Sequence, residues 1–100
     1  MGDSSEVIDD GKRNRFEVDV EGIRAELVYR VIGRRLVIEH TGVPDELAGR
    51  GIGGKLVVAA VNKAVADGLT LVPVCPFATT WLRKHPDLVE TVSIDWTHSR

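Results

Sequence analysis

The chain has 100 residues, 43% of them hydrophobic and 28% charged, a net charge of -2 and a single cysteine. That length fits one domain, and the charge argues against a nucleic-acid binder, which needs a clear positive excess. One cysteine excludes an intrachain disulfide, no apolar run approaches the roughly 18–20 residues that span a membrane, and the polar start Met1-Gly2-Asp3-Ser4-Ser5-Glu6 is not a secretory signal, so a cytosolic protein is expected.

Residues 1–14 are polar and charged, and they are expected to fray as a tail ahead of a single domain at 15–96. Phe16-Glu17-Val18-Asp19-Val20 alternates apolar and acidic residues, the period of a half-buried strand. Glu21-Gly22 is a turn, and Ile23 to Val31 continues the alternation through Ala25, Leu27 and Tyr29. Gly33 is the next turn residue, and Leu36-Val37-Ile38 opens a third strand running to about Val43. Links this short imply antiparallel hairpins.

The period then changes. Ile52, Leu56, Ala59-Ala60 and Lys63-Ala64 recur at spacings of three and four, which predicts a helix, and Gly68 is a natural stop. Leu69 to Val74 is a short apolar strand, with Pro73 suggesting an edge or bulge. Pro76 suits the first turn of a second helix that passes Trp81-Leu82 and stops before Pro86. Val89 to Trp96 alternates weakly and is taken as a last strand. The order gives an α+β fold in which an antiparallel three-stranded meander is followed by helix, strand and helix.

The stretch between the third strand and the first helix, Gly49-Arg50-Gly51-Ile52-Gly53-Gly54, carries the chemistry. Amides at a helix start lack intrahelical partners and lie at the positive end of the helix dipole, and glycines allow close backbone approach, so such a turn suits phosphate oxygens. Gly49, Gly51 and Gly54 satisfy the dinucleotide pattern G-x-G-x-x-G, but antiparallel strands precede it and no carboxylate stands near Val74, where the ribose partner belongs. The same run followed by Lys55 imitates a phosphate-binding loop of triphosphatases, but Leu56 replaces the magnesium-binding Ser or Thr. A third template, Arg or Gln, two residues, Gly, one residue, Gly or Ala, reads here Ala48-Gly49-Arg50-Gly51-Ile52-Gly53. The structural alternative is a turn whose glycines only let the helix pack closely.

Leu36-Val37-Ile38-Glu39-His40-Thr41, Val43-Pro44, the glycine turn, Val72-Pro73-Val74-Cys75-Pro76-Phe77 and His85-Pro86 together resemble the short, stand-alone Gcn5-related acetyltransferase-like proteins of the YjdJ type, over about residues 16–90. The resemblance implies a truncated Gcn5-related acetyltransferase fold that binds acetyl-CoA. The pyrophosphate is expected on Gly49, Arg50, Gly51, Ile52, Gly53, Gly54 and Lys55, and the pantetheine beside the third strand at Thr41 and Val43. Two departures stand out. Ala48 replaces the usual Arg or Gln of the turn, and Trp81 stands where relatives tend to carry a Tyr. Indole N–H donates a hydrogen bond but is no general acid.

Cys75, the only thiol, precedes Pro76 at a helix start, where thiolate is favoured. It is a candidate nucleophile, a candidate acid for the departing coenzyme A thiol, or a buried inert cysteine. His40, late in the third strand, is a candidate base. Alternation places it on the face of Ile38, so an interior histidine is the structural alternative. His85 reads as part of a helix stop. No metal-ligand spacing exists, so no metal is expected. Arg34-Arg35, Arg50-Lys55 and Arg83-Lys84 form a basic rim only if they cluster. The expected activity is acetyl transfer from acetyl-CoA to an unidentified amine, with a non-catalytic acyl-CoA binder and a small protein-interaction domain as alternatives.

Overall fold

The structure, a computed structural model, describes residues 6–98. Five strands, β1 (Ile8–Asp10), β2 (Arg15–Val20), β3 (Ile23–Ile32), β4 (Arg35–Gly42) and β5 (Thr70–Pro73), form one sheet in sequence order. The first four pair antiparallel and β4 pairs parallel to β5. The parallel step requires a crossover, which α1 (Ile52–Asp67) supplies; α2 (Pro76–Arg83) and α3 (Pro86–Val89) follow. The α+β expectation holds.

Helix α1 buries Leu56, Val57, Ala60, Val61 and Ala64 against Val18, Ala25, Leu27, Leu36 and Ile38. It ends at Gly68, whose left-handed conformation (φ 67°) lets its amide reach back to the carbonyls of Ala64 and Val65. The turn between β2 and β3 uses positive φ at both Glu21 (54°) and Gly22 (82°), as a two-residue hairpin with right-twisted strands prefers.

Two expectations fail. The supposed tail is structured from Glu6 onward; residues 1–5 lie outside the described ones. Tyr29 is buried, and its hydroxyl needs a partner; Asp9 of β1 accepts it at 2.6 Å. Asp9 also lies 3.6 Å from Lys63 Nζ of α1, so β1 is tied to both sheet and helix. Burial and then the Asp9 carboxylate push the Tyr29 phenol well above its ordinary value, which keeps it a donor. The weak alternation at 89–96 is not a strand. Pro86 starts α3, Thr91 turns back on Leu88, and only Ile94 bridges to Leu71 in parallel. Arg35 holds that last segment through Asp95 at 2.7 Å.

The feature that positions the site lies where β4 leaves β5. Their register runs from Arg35↔Thr70 to Ile38↔Pro73. The Ile38 carbonyl then accepts two amides, Val74 at 3.0 Å and Cys75 at 3.1 Å, and the strands part. On its other side β4 carries a bulge: Ile38 pairs with Tyr29 and His40 with Val28, leaving Glu39 as the extra residue.

Replacing Tyr29 with Phe removes the bond to Asp9 without emptying the core. Urea denaturation is expected to show a loss of about 1–2 kcal/mol, with amide exchange rising first in β1. Unchanged stability would mean that β1 is not held by this contact.

Candidate functional site

The glycine turn is pegged at both ends. Leu47, in the short 3-10 turn Asp45–Leu47, and Ile52, first in α1, are buried at 1% and 3% exposure. Between them Gly49 (φ 80°) and Gly51 (φ 74°) adopt left-handed backbone with open space around their missing side chains. Gly51 caps α1 without any side-chain hydrogen bond, and the first helical bond runs from the Lys55 amide to the Gly51 carbonyl at 3.1 Å. The amides of Ile52, Gly53 and Gly54 therefore precede the helical ladder, at the positive end of a 16-residue helix.

Gly53 and Gly54 serve a different purpose. A Cβ on Gly53 would stand 2.5 Å from Phe77 Cζ, and one on Gly54 would stand 2.7 Å from Trp81 Nε1. Phe77 and Trp81, four residues apart on α2, lay their rings on this bare stretch of α1. The close-packing alternative thus accounts for two of the glycines and leaves the two that shape the turn to the other reading. Trp81 stacks in turn on His85 (3.7 Å between centroids, 15°), whose Nδ1 lies 2.7 Å from the Trp81 carbonyl.

Val43, residues 47–49 and 51–54, Phe77 and Trp81 line a cleft of about 380 Å³. Of the expected binding residues, Val43, Gly49, Gly51, Ile52, Gly53 and Gly54 line it together. Lys55 lines a neighbouring groove, and Arg50 is exposed and outside both linings.

Cys75 and His40 are not brought together. Cys75 caps α2 at 4% exposure, and its thiol donates to Thr41 Oγ1 at 3.5 Å. The first amides of α2 lie beside it, since the Thr79 amide is the one that returns to the Cys75 carbonyl, at 3.0 Å. The bulge at Glu39 overturns the alternation expected for β4. Thr41 pairs with buried Leu27 and turns toward the core side, while His40 pairs with Val28, faces away and is exposed. Its Nε2 folds over Gly42, 3.3 Å from the place of a Cβ there. Neither Cys75 nor His40 lines the cleft.

The basic rim does not assemble. Arg35 pairs with Asp95 at the start of β4, the end away from the turn, and Arg83 sits over the Trp96 ring at 5.3 Å. Among the described residues no group of three His, Cys, Asp or Glu side chains could hold a metal ion, and no helix is long and apolar enough to cross a membrane. Phe77 and Leu47 were missed in the sequence. The available signal was the pair of adjacent helical glycines, unnecessary for a turn, set against aromatics at i and i+4.

A sequence model of the family described as GCN5-related N-acetyl-transferase matches residues 15–92. Protein NATD1 of Gallus gallus is 36% identical over 80 residues, covering 77% of this chain and 73% of that protein. Protein NATD1 of Homo sapiens is 35% identical over 80 residues, covering 77% and 71%. The solution structure of a GCN5-like protein from Staphylococcus aureus superposes with a TM-score of 0.72 at 30% identity, covering 97% of this chain and 96% of that one.

Gly54→Ala is expected to cost about 1–3 kcal/mol, because the new methyl must displace Trp81. In a Trp81→Leu background the same change should cost clearly less, a coupling that a double-mutant cycle in urea would read. Equal costs in both backgrounds would mean that the indole does not set the requirement for glycine.

Proposed function

The chain belongs to the GCN5-related N-acetyltransferase family, and on that premise we propose that it binds acetyl-CoA on its glycine turn and passes the acetyl group to an amine. One observation carries this reading. The first turn of α1 presents amides ahead of the helical ladder, beside two left-handed glycines, with no side chain capping them. That is a donor array for a pyrophosphate, and it does not depend on the Arg or Gln absent at Ala48. The apolar cleft under Phe77 and Trp81 leads from the turn to Val43 and offers a course for the pantetheine arm.

The gap between β4 and β5 beyond Ile38 is where the thioester belongs in this reading. Among the described residues the pairing of β4 with β5 ends at Ile38↔Pro73, and in this reading the backbone of β4 past that point pairs with the ligand. The acceptor nitrogen attacks the thioester carbonyl, a C–N bond forms, the C–S bond breaks, and the sulfur leaves with a proton. Cys75 has two roles open to it at the split. It can take the acetyl group on sulfur first, giving its own proton to the departing thiol, or it can supply that proton directly. Thr41 orients its sulfur in either case. In this reading His40, turned to the opposite face, takes a proton from an acceptor arriving there and does not activate Cys75.

A second reading, binding without turnover, is favoured by Trp81. Its indole is held between Gly54 and His85 and supplies no acid.

Acetyl-CoA at about 100 times its Kd is expected to stabilise the fold by about 2.7 kcal/mol, read as a rise in Tm. Gly51→Val should abolish the rise, because a branched side chain at φ 74° is strained and stands where phosphate approaches. No shift at millimolar ligand would remove the proposal. Intact-mass measurement after incubation with acetyl-CoA separates the two roles: an acetyl group on Cys75 is expected of the nucleophile and none of the acid. An unmodified Cys75, together with full turnover in Cys75→Ala, would exclude both of its roles, and ligand binding without turnover on any amine would favour the second reading.

A further inference from the structure

Among the described residues the buried core holds one polar side chain, that of Thr79, at 2% exposure. A hydroxyl in such a place costs stability unless it is bonded, and inside a helix it competes with the backbone. On α2 its single proton is shared between two carbonyls, Cys75 at 3.1 Å and Pro73 at 3.4 Å. Pro73 is the last residue of β5, and Cys75 caps α2. The hydroxyl therefore staples the end of the strand to the start of the helix, across the corner that carries the thiol. Resting on the roles proposed for Cys75, we propose that Thr79 is a positioning residue for that sulfur.

The rest of Cys75 is anchored close by. Its amide donates to the Ile38 carbonyl at 3.1 Å, and its carbonyl accepts the Thr79 amide at 3.0 Å. Pro76 disfavours helical backbone in the residue before it, and Cys75 is extended (φ -63°, ψ 128°). Its thiol reaches Thr41 Oγ1 on β4 at 3.5 Å. The sulfur is thus located against two elements, β4 through Ile38 and Thr41, and α2 through Thr79. The hydroxyl fixes the angle between β5 and α2 at the residue from which the sulfur projects. Thr79 is buried and outside the lining of the cleft, so it does not touch a ligand there, and what it contributes passes through Cys75. Attack on a thioester carbon and proton delivery to a departing sulfur both need the reacting atoms in near contact, and a misplacement of about 1 Å costs about 100-fold. The helical bond from the Thr79 amide does not need the hydroxyl, so α2 survives its removal.

The chain has one cysteine, so its infrared spectrum has one S–H stretching band, which the hydrogen bond to Thr41 lowers in frequency. Thr79→Val keeps the shape and removes the hydroxyl, Thr79→Ala removes it with less bulk, and Thr79→Ser keeps it. In the folded full chain, Thr79→Val and Thr79→Ala are expected to move the band toward its position in Thr41→Val, where the thiol has lost its acceptor, and Thr79→Ser to leave it in place. Release of coenzyme A from acetyl-CoA, with butylamine as the acceptor, is expected to fall about 10–100-fold in kcat in the two variants without the hydroxyl. KM should stay within about twofold, and Thr79→Ser should keep the original rate. An unmoved band, a moved band with kcat unchanged, or a loss of rate that Thr79→Ser shares would each overturn the positioning role and leave the roles of Cys75 standing. No release by the unaltered protein would overturn the reading of Cys75 and this role with it.

Discussion

One carbonyl oxygen decides the layout of this protein. The Ile38 oxygen accepts the amides of both Val74 and Cys75, which fills its two acceptor positions. Beyond it the parallel pair cannot continue, since β5 turns into α2 while β4 goes on beside β3. A gap in the sheet follows, and the proposed chemistry lies on its borders: Cys75 at the start of α2, Thr41 on the continuing strand, and the glycine turn where the chain leaves β4 for α1. The bulge at Glu39 acts at the same level. By inserting one residue it reverses which side chains of β4 look inward, exchanging His40 for Thr41 beside the sulfur.

Most of the architecture was legible because it rests on local signals. The hairpins follow from period-two alternation and from Glu21-Gly22 and Gly33, the long helix from three- and four-residue spacing closed by Gly68, and the second helix from Pro76. The bulge was not legible, since alternation assumes an unbroken pleat and nothing in Ile38-Glu39-His40-Thr41 announces an extra residue. Strand β1 was hidden for another reason. Ile8-Asp9-Asp10 has no periodic pattern, and its place is set by distant partners, Tyr29 and Lys63, that want a carboxylate. At the other end, the weak alternation from Val89 yielded to Pro86, which starts a short helix instead.

The candidate site divides in the same way. The turn was readable because positive φ and open amides demand glycine locally, at Gly49 and Gly51. Gly53 and Gly54 carry the same letter in the sequence for an unrelated reason, the rings of Phe77 and Trp81 pressed on the helix. A motif of four glycines thus joins two requirements, one of backbone conformation and one of packing, and only the coordinates separate them. The pairing of Cys75 with Thr41, across 34 positions of sequence, is likewise a product of the split.

The crossover between β4 and β5 also bears on how the molecule is assembled in time. Strands β1 to β4 meet through near neighbours, and contacts of that kind close at little cost in chain entropy, whereas Arg35 meets Thr70 across the long segment that contains α1. The last segment is more remote still, with Asp95 returning to Arg35. The hairpin platform can therefore form while the gap beside Ile38 does not yet exist. A chain in that state has no second border beside Ile38, so the split is built by pairings that span a long loop and not by the hairpins.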